Sequence, residues 1–93
     1  MGFTKESAVE RAKSDLAERL KLSEQDIQEK SVTATEFPDM SLGAPAKDEM
    51  SAQMISSGWR INLAANGQDY EYRADKYQLR LKGWDGSNHV IVS

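Results

Sequence analysis

A chain of 93 residues with 29% charged and 39% hydrophobic residues is sized for one domain with a single core. It has no cysteine, which excludes disulfides and thiolate metal sites, and one histidine, which restricts imidazole chemistry to a single group. The net charge of −3 is uneven: residues 1–49 carry seven basic against eleven acidic side chains, and residues 50–93 carry five against four. An acidic first half argues against nucleic acid as the partner.

The N-terminus has no apolar signal region, and no apolar run approaches membrane-spanning length. These features predict a soluble protein, cytoplasmic by default, with no membrane partner. The organisation expected is a single domain over 1–93, with a helix over 4–22, a strand and loop over 31–48 and a meander over 49–93.

In chain order, Val9, Ala12, Leu16 and Leu20, with Ala8 and Ala17, recur at the spacing of one apolar helical stripe. Thr4 or Ser7 can cap its start. Glu10 with Lys13, Asp15 with Arg19 and Glu18 with Lys21 read as charge pairs on a solvated face. Ser23 opens a second capping pattern, a short helical turn that returns Ile27 to the core. Residues 31–37 are rich in Val and Thr and read as a strand that ends at Phe37-Pro38. Two prolines and a glycine make Phe37–Pro45 an ordered loop.

Asn66-Gly67 lies between two alternating runs and is the strongest hairpin signal in the chain, because a tight I′ turn needs positive φ at both central residues. That turn places Leu63 opposite Tyr70, Ile61 opposite Tyr72, Trp59 opposite Ala74, Asn62 opposite Glu71 and Arg60 opposite Arg73. Further two-residue turns are predicted at Ser57-Gly58, Asp75-Lys76 and Asp85-Gly86. They put Met50, Ala52 and Met54 on the face of Ile61 and Leu63, Tyr72 opposite Leu79, Tyr70 opposite Leu81, Leu81 opposite Val90, and Leu79 opposite Val92. All large apolar side chains then share one face. The other face, with Gln53, Asn62, Glu71, Arg73, Gln78, Arg80 and Lys82, is expected to be wet. A sheet with one apolar face needs a cover, and the helix is the candidate. The predicted fold is α+β: one N-terminal helix packed on a twisted antiparallel β-meander of five or six strands.

The loop and hairpin carry a resemblance. Ala12, Asp15, Leu16, Ala17, Arg19 and Leu20, then Pro38, Asp39, Ser41, Leu42, Gly43 and Pro45, then Ala52, Gln53, Gly58, Ile61, Leu63, Gly67, Tyr70 and Tyr72 match a pattern. It is that of a group of small bacterial proteins of unassigned function, with a W-P-D-x-S-L-G-C-P loop motif. Phe37 replaces that family's Trp, Ala44 its Cys, Trp59 its Tyr and Arg73 its His, so chemistry resting on the Cys and His could not operate here. The resemblance implies a helix-on-sheet domain and no activity. The layout is also similar to PepSY and cystatin-like domains, some of which inhibit peptidases, an analogy of fold alone.

Catalysis is not expected. A hydrolase would need Ser41 beside His89 with Asp39 or Asp85 as orienter, and nothing like a nucleophile elbow surrounds any serine. His89 is predicted to pair with Lys82 on the wet face. Neither a metal site nor a phosphate loop is indicated, so no cofactor is expected. RNA-binding sheets stack bases on exposed aromatics, whereas Trp59, Tyr70, Tyr72 and Tyr77 fall on the predicted core face. The Arg60, Arg73, Arg80 and Lys82 face is net positive and would suit an anionic partner. The reading this favours is a non-catalytic binding domain for a protein or peptide, with peptidase inhibition as one concrete version. Its candidate contact residues are Asp39, Met40, Ser41, Leu42, Gln53 and Arg73, because a proline-bounded loop commonly presents a binding surface.

Overall fold

Thr4 starts the first element by a reciprocal cap: its Oγ1 accepts the Ser7 N–H at 3.1 Å, and Ser7 Oγ accepts the Thr4 N–H at 2.8 Å. In the computed structural model, which describes residues 2–92, helix α1 runs Lys5–Leu20. It ends where Lys21 turns left-handed (φ 57°) and the Leu22 N–H closes on the Ala17 carbonyl. A short 3₁₀ turn, Glu24–Asp26, follows under a Ser23 cap and delivers Ile27 to the core, as the capping pattern predicts.

The strands are β1 (Gln28–Phe37), β2 (Ser56–Ala65), β3 (Gln68–Asp75), β4 (Leu79–Trp84) and β5 (Ser87–Val92). They form one antiparallel sheet in sequence order, with β1 and β5 at the edges. The predicted α+β architecture is therefore the observed one. At the β2–β3 turn, Asn66 (φ 54°) and Gly67 (φ 75°) both take positive φ, and every pairing expected from that turn is present.

Ala8, Val9, Ala12, Leu16 and Ala17 of the helix pack on Ile61, Leu63, Tyr72, Ala74, Leu79 and Leu81 of the sheet. The small alanines let the helix sit close, and the large residues opposite fill the space. The helix-side network departs from a solvated charge pair. Asp15 Oδ2 accepts both the Arg19 Nε–H and the hydroxyl of fully buried Tyr72, each at 2.7 Å. Burial, with Asp15 beside it, pushes the Tyr72 pKa up. Arg19 lies over the Trp84 ring at 5.4 Å.

Three expectations are corrected. The first is the strand beginning near Met50. The strand begins at Ser56, and Met50, Met54 and Ile55 are exposed at 97%, 62% and 72%. Its place beside β2 is taken by β1, which is longer than expected and carries a bulge at Lys30. Gly58 is inside β2, opposite Thr35 and Asp75, rather than in a turn. It is glycine because the Ala74 carbonyl oxygen occupies the position of a Cβ.

The second concerns β3 and β4, whose register is displaced by one pleat period, so Tyr72 faces Leu81 and Ala74 faces Leu79. The cause is a wider turn: Asp75 Oδ1 accepts the N–H groups of Tyr77 (2.8 Å) and Gln78 (2.9 Å), and the Asp75 N–H donates to the Gln78 carbonyl. The apolar face survives because the displacement is even, but Tyr77 is left at the turn, 74% exposed.

The third concerns β4 and β5. Asp85-Gly86 turns as expected and Leu79 faces Val92, but register shifts between those points put Leu81 opposite His89 and Arg80 opposite Val90.

Candidate functional site

The second face of the sheet is wet only in part. The connection between β1 and β2, residues 38–55, folds back over it as a strap. Ser41, Leu42 and Ala44 of the strap and Phe37 at the end of β1 are buried between strap and sheet, outside the helix-side core. The strap is shaped by Asp39, whose Oδ1 accepts the N–H groups of Ser41 and Gly43, both at 3.0 Å, and the Ser41 hydroxyl at 2.8 Å. Those donors, the Gly43 N–H first, hold the Asp39 carboxyl below its ordinary pKa. Leu42 (φ 59°) and Gly43 (φ 66°) then reverse the chain and drive the Leu42 side chain into the sheet. A Cβ on Gly43 would lie 2.6 Å from Arg73 Nη1.

The sheet grips the strap by its carbonyls. Gln78 Nε2 donates to Met40 O at 2.6 Å, Arg73 Nη1 to Leu42 O at 2.9 Å, Arg80 Nη1 to Ala44 O at 3.1 Å and Asn88 Nδ2 to Pro45 O at 2.9 Å. The strap thus spans β3 to β5 before returning to β2. Arg80, 5% exposed, also binds Glu49 through both Nη atoms, and Glu49 Oε1 accepts the Ala46 N–H. The Arg80 hydrogen bond lowers the Glu49 pKa to about 2. Arg73 bonds Glu71 at 2.7 Å and lies 5.4 Å from the Phe37 ring centroid. On the return, the Met40 N–H donates to Ala52 O at 3.0 Å.

These contacts sort the candidate residues. Asp39, Ser41, Leu42 and Arg73 are spent inside the strap and its attachment. Leu42, expected to be free for a partner, is fully buried. Met40 (48% exposed) and Gln53 face solvent. Ser41 and His89 are not joined by a hydrogen bond: Ser41 Oγ donates to Asp39, while half-buried His89 has Nε2 3.2 Å from Trp84 O. His89 is thus neither exposed nor opposite Lys82, because the β4–β5 shifts move it to Leu81. The open cationic face is corrected too, since Arg73 and Arg80 are covered while Arg60 and Lys82 remain exposed.

Arg80 and Gln78 are expected only on a solvated face, and nothing in the sequence marks them, Glu49 or Asn88 as the residues that fasten the strap. Their targets are mostly backbone carbonyls, which every residue possesses, so no side-chain pattern marks them. The one available signal was the excess of cations on a face thought to be solvated.

Among the described residues no helix is long and apolar enough to cross a membrane. No curated protein and no solved structure matches the chain. A family model described as a domain of unknown function (DUF8738) matches residues 9–82, from the second turn of α1 through the whole strap to Lys82 in β4. The match covers most of α1, all of β1, the strap, β2 and β3, and most of β4, and the chain belongs to this domain family of unknown function.

Proposed function

We propose that this is a non-catalytic binding domain that contacts a protein partner through the outer surface of the strap. The observation that carries the reading is the pairing of a fixed backbone with unsatisfied apolar side chains. Gln78, Arg73, Arg80 and Asn88 hold residues 40–45 from below, and Met40 projects from that held stretch; Met50, Met54 and Ile55 project from the return, which the Met40 N–H ties at Ala52 O. A pre-fixed segment loses little conformational freedom on binding, and methionine adapts to irregular partner surfaces. The exposed face of the helix offers instead charged side chains that contribute little affinity. Peptidase inhibition is one form such binding takes, and a cytoplasmic setting is part of the same proposal.

The test uses residues that the strap does not need for its own shape. Met40→Gln, Met54→Gln and Ile55→Ser are combined, and capture from the native cell extract is compared with the unchanged protein. A photo-crosslinker at position 54 is run beside one at Lys13 on the helix. The expected result is a specific adduct from position 54 that the triple variant abolishes. Equal adducts from both positions, or a partner set indifferent to the triple variant, would remove the reading.

A further inference from the structure

Arg60, Arg73 and Arg80 are direct cross-strand neighbours: Arg60 faces Arg73 between β2 and β3, and Arg73 faces Arg80 between β3 and β4. Lys82 lies on the same face, opposite Glu71. Like charges directly opposite one another destabilise a sheet, so this row needs counter-charge. Glu71 supplies it to Arg73 from the sheet itself. The rest arrives on the strap, as Glu49 on Arg80 and as Asp39, whose carboxylate Arg80 also stabilises. Arg60 forms no ion pair among the described residues.

The strap therefore occupies Nη donors of Arg73 and Arg80 as an oxyanion ligand would, with the carbonyl oxygens of Leu42 and Ala44 and the carboxylate of Glu49, while Glu71 and Gln78 take the two Nε–H groups. Its apolar anchorage is small: among the described residues Leu42 and Ala44 of the strap are buried with Phe37 of β1, apart from the helix-side core. Lifting it exchanges polar contacts for water, which costs far less than opening the sheet.

We propose that residues 38–55 are a lid over a masked polyanion site. The lid opens while helix and sheet stay folded, and the freed row of Arg60, Arg73 and Arg80, with Lys82, takes a chain of linked phosphates. A row across two strand spacings is about 10 Å long, which suits an oligophosphate better than a single phosphate. Because only the open form binds, apparent affinity scales with the open fraction. The partner contact proposed for the strap's outer surface belongs to the closed form and the polyanion site to the open one, so the two readings are tested by different probes.

The probe is sodium tripolyphosphate at low ionic strength, measured by calorimetry beside hydrogen exchange of the whole chain. Amides of 38–55 should exchange faster than those of β2–β4. Glu49→Gln, and separately the uncharged latch variant Asn88→Ala, should speed strap exchange and tighten tripolyphosphate binding by the same factor, about tenfold for Glu49→Gln. Adding Arg60→Gln, outside the latch, should weaken binding several-fold and leave strap exchange unchanged. The proposal is overturned if strap and sheet amides exchange together, or if neither latch variant speeds strap exchange. Faster strap exchange with no gain in tripolyphosphate binding overturns it equally, as does binding that ignores Arg60→Gln.

Discussion

Gly58 and Gly67 are both needed, for different physical reasons, and substitution separates them. At Gly67 the demand is on φ, which is +75°, while the space around a Cβ is open. Gly67→Ala should cost about 1–2 kcal/mol, the penalty of the left-handed region for an L-residue. At Gly58 the demand is on space, because an added methyl meets the Ala74 carbonyl oxygen and the Asp75 Cα, and backbone cannot swing aside. Gly58→Ala should cost at least about 3 kcal/mol, the upper end for overpacking. Urea denaturation of the two variants checks the order, and a smaller loss at Gly58 would contradict the close approach of β2 and β3. The same measurement applied to Leu63→Ala, at a fully buried site, should show a loss of about 2–5 kcal/mol.

At the scale of the elements, acid should act on the strap before it acts on the core. The ordinary pKa values of Asp39 and Glu49 are 3.8 and 4.5, and both are lowered in the fold, Glu49 to about 2. A lowered carboxylate pKa means stabilisation that is present above the ordinary value and lost as pH falls through the folded one. Strap attachment should thus weaken from about pH 4.5 down to about pH 2. The Leu42 methyl resonances, buried under the strap, should titrate across that window while those of Leu16 in the helix-side core do not. Equal shifts at both sites would mean that the layers respond as one. Which elements were legible follows from where their determinants lie. The β2–β3 hairpin was fully readable because turn chemistry and alternation both reside in side chains. Residues 50–55 were misread because Met50, Ala52 and Met54 alternate like a strand, yet β1 already pairs with that edge of β2. The β3–β4 register slipped because Asp75 bonds two residues onward, widening a turn that looks like a two-residue one.

The molecule as a whole has two apolar layers on opposite faces of one sheet, and their inequality makes a final prediction. The helix-side layer joins residues from α1, β2, β3 and β4, whereas the strap-side layer rests on Phe37, Leu42 and Ala44 around a polar lattice. The sequence announces the first through periodicity. It conceals the second, since carbonyls accepting from Arg73, Arg80, Gln78 and Asn88 leave no periodic trace. If the first layer defines the fold, the strap should be removable. Phe37 and Ser56 are already cross-strand partners, so an Asn-Gly pair can replace residues 38–55 as a two-residue turn whose twist matches the strands. Phe37→Thr would accompany it, because the strap no longer covers that ring. The shortened protein should keep its helix and sheet by circular dichroism, and Tyr72 should keep its contact with Asp15. Its stability should fall, since the burial of Leu42 alone is worth about 1.5–3 kcal/mol. Arg73 and Arg80 would stand exposed, so its stability should also rise more steeply with added multivalent anion than that of the full chain. Collapse to an unfolded chain would instead make the strap an integral layer of the fold, and would reassign the arginine row from a masked site to a structural seam.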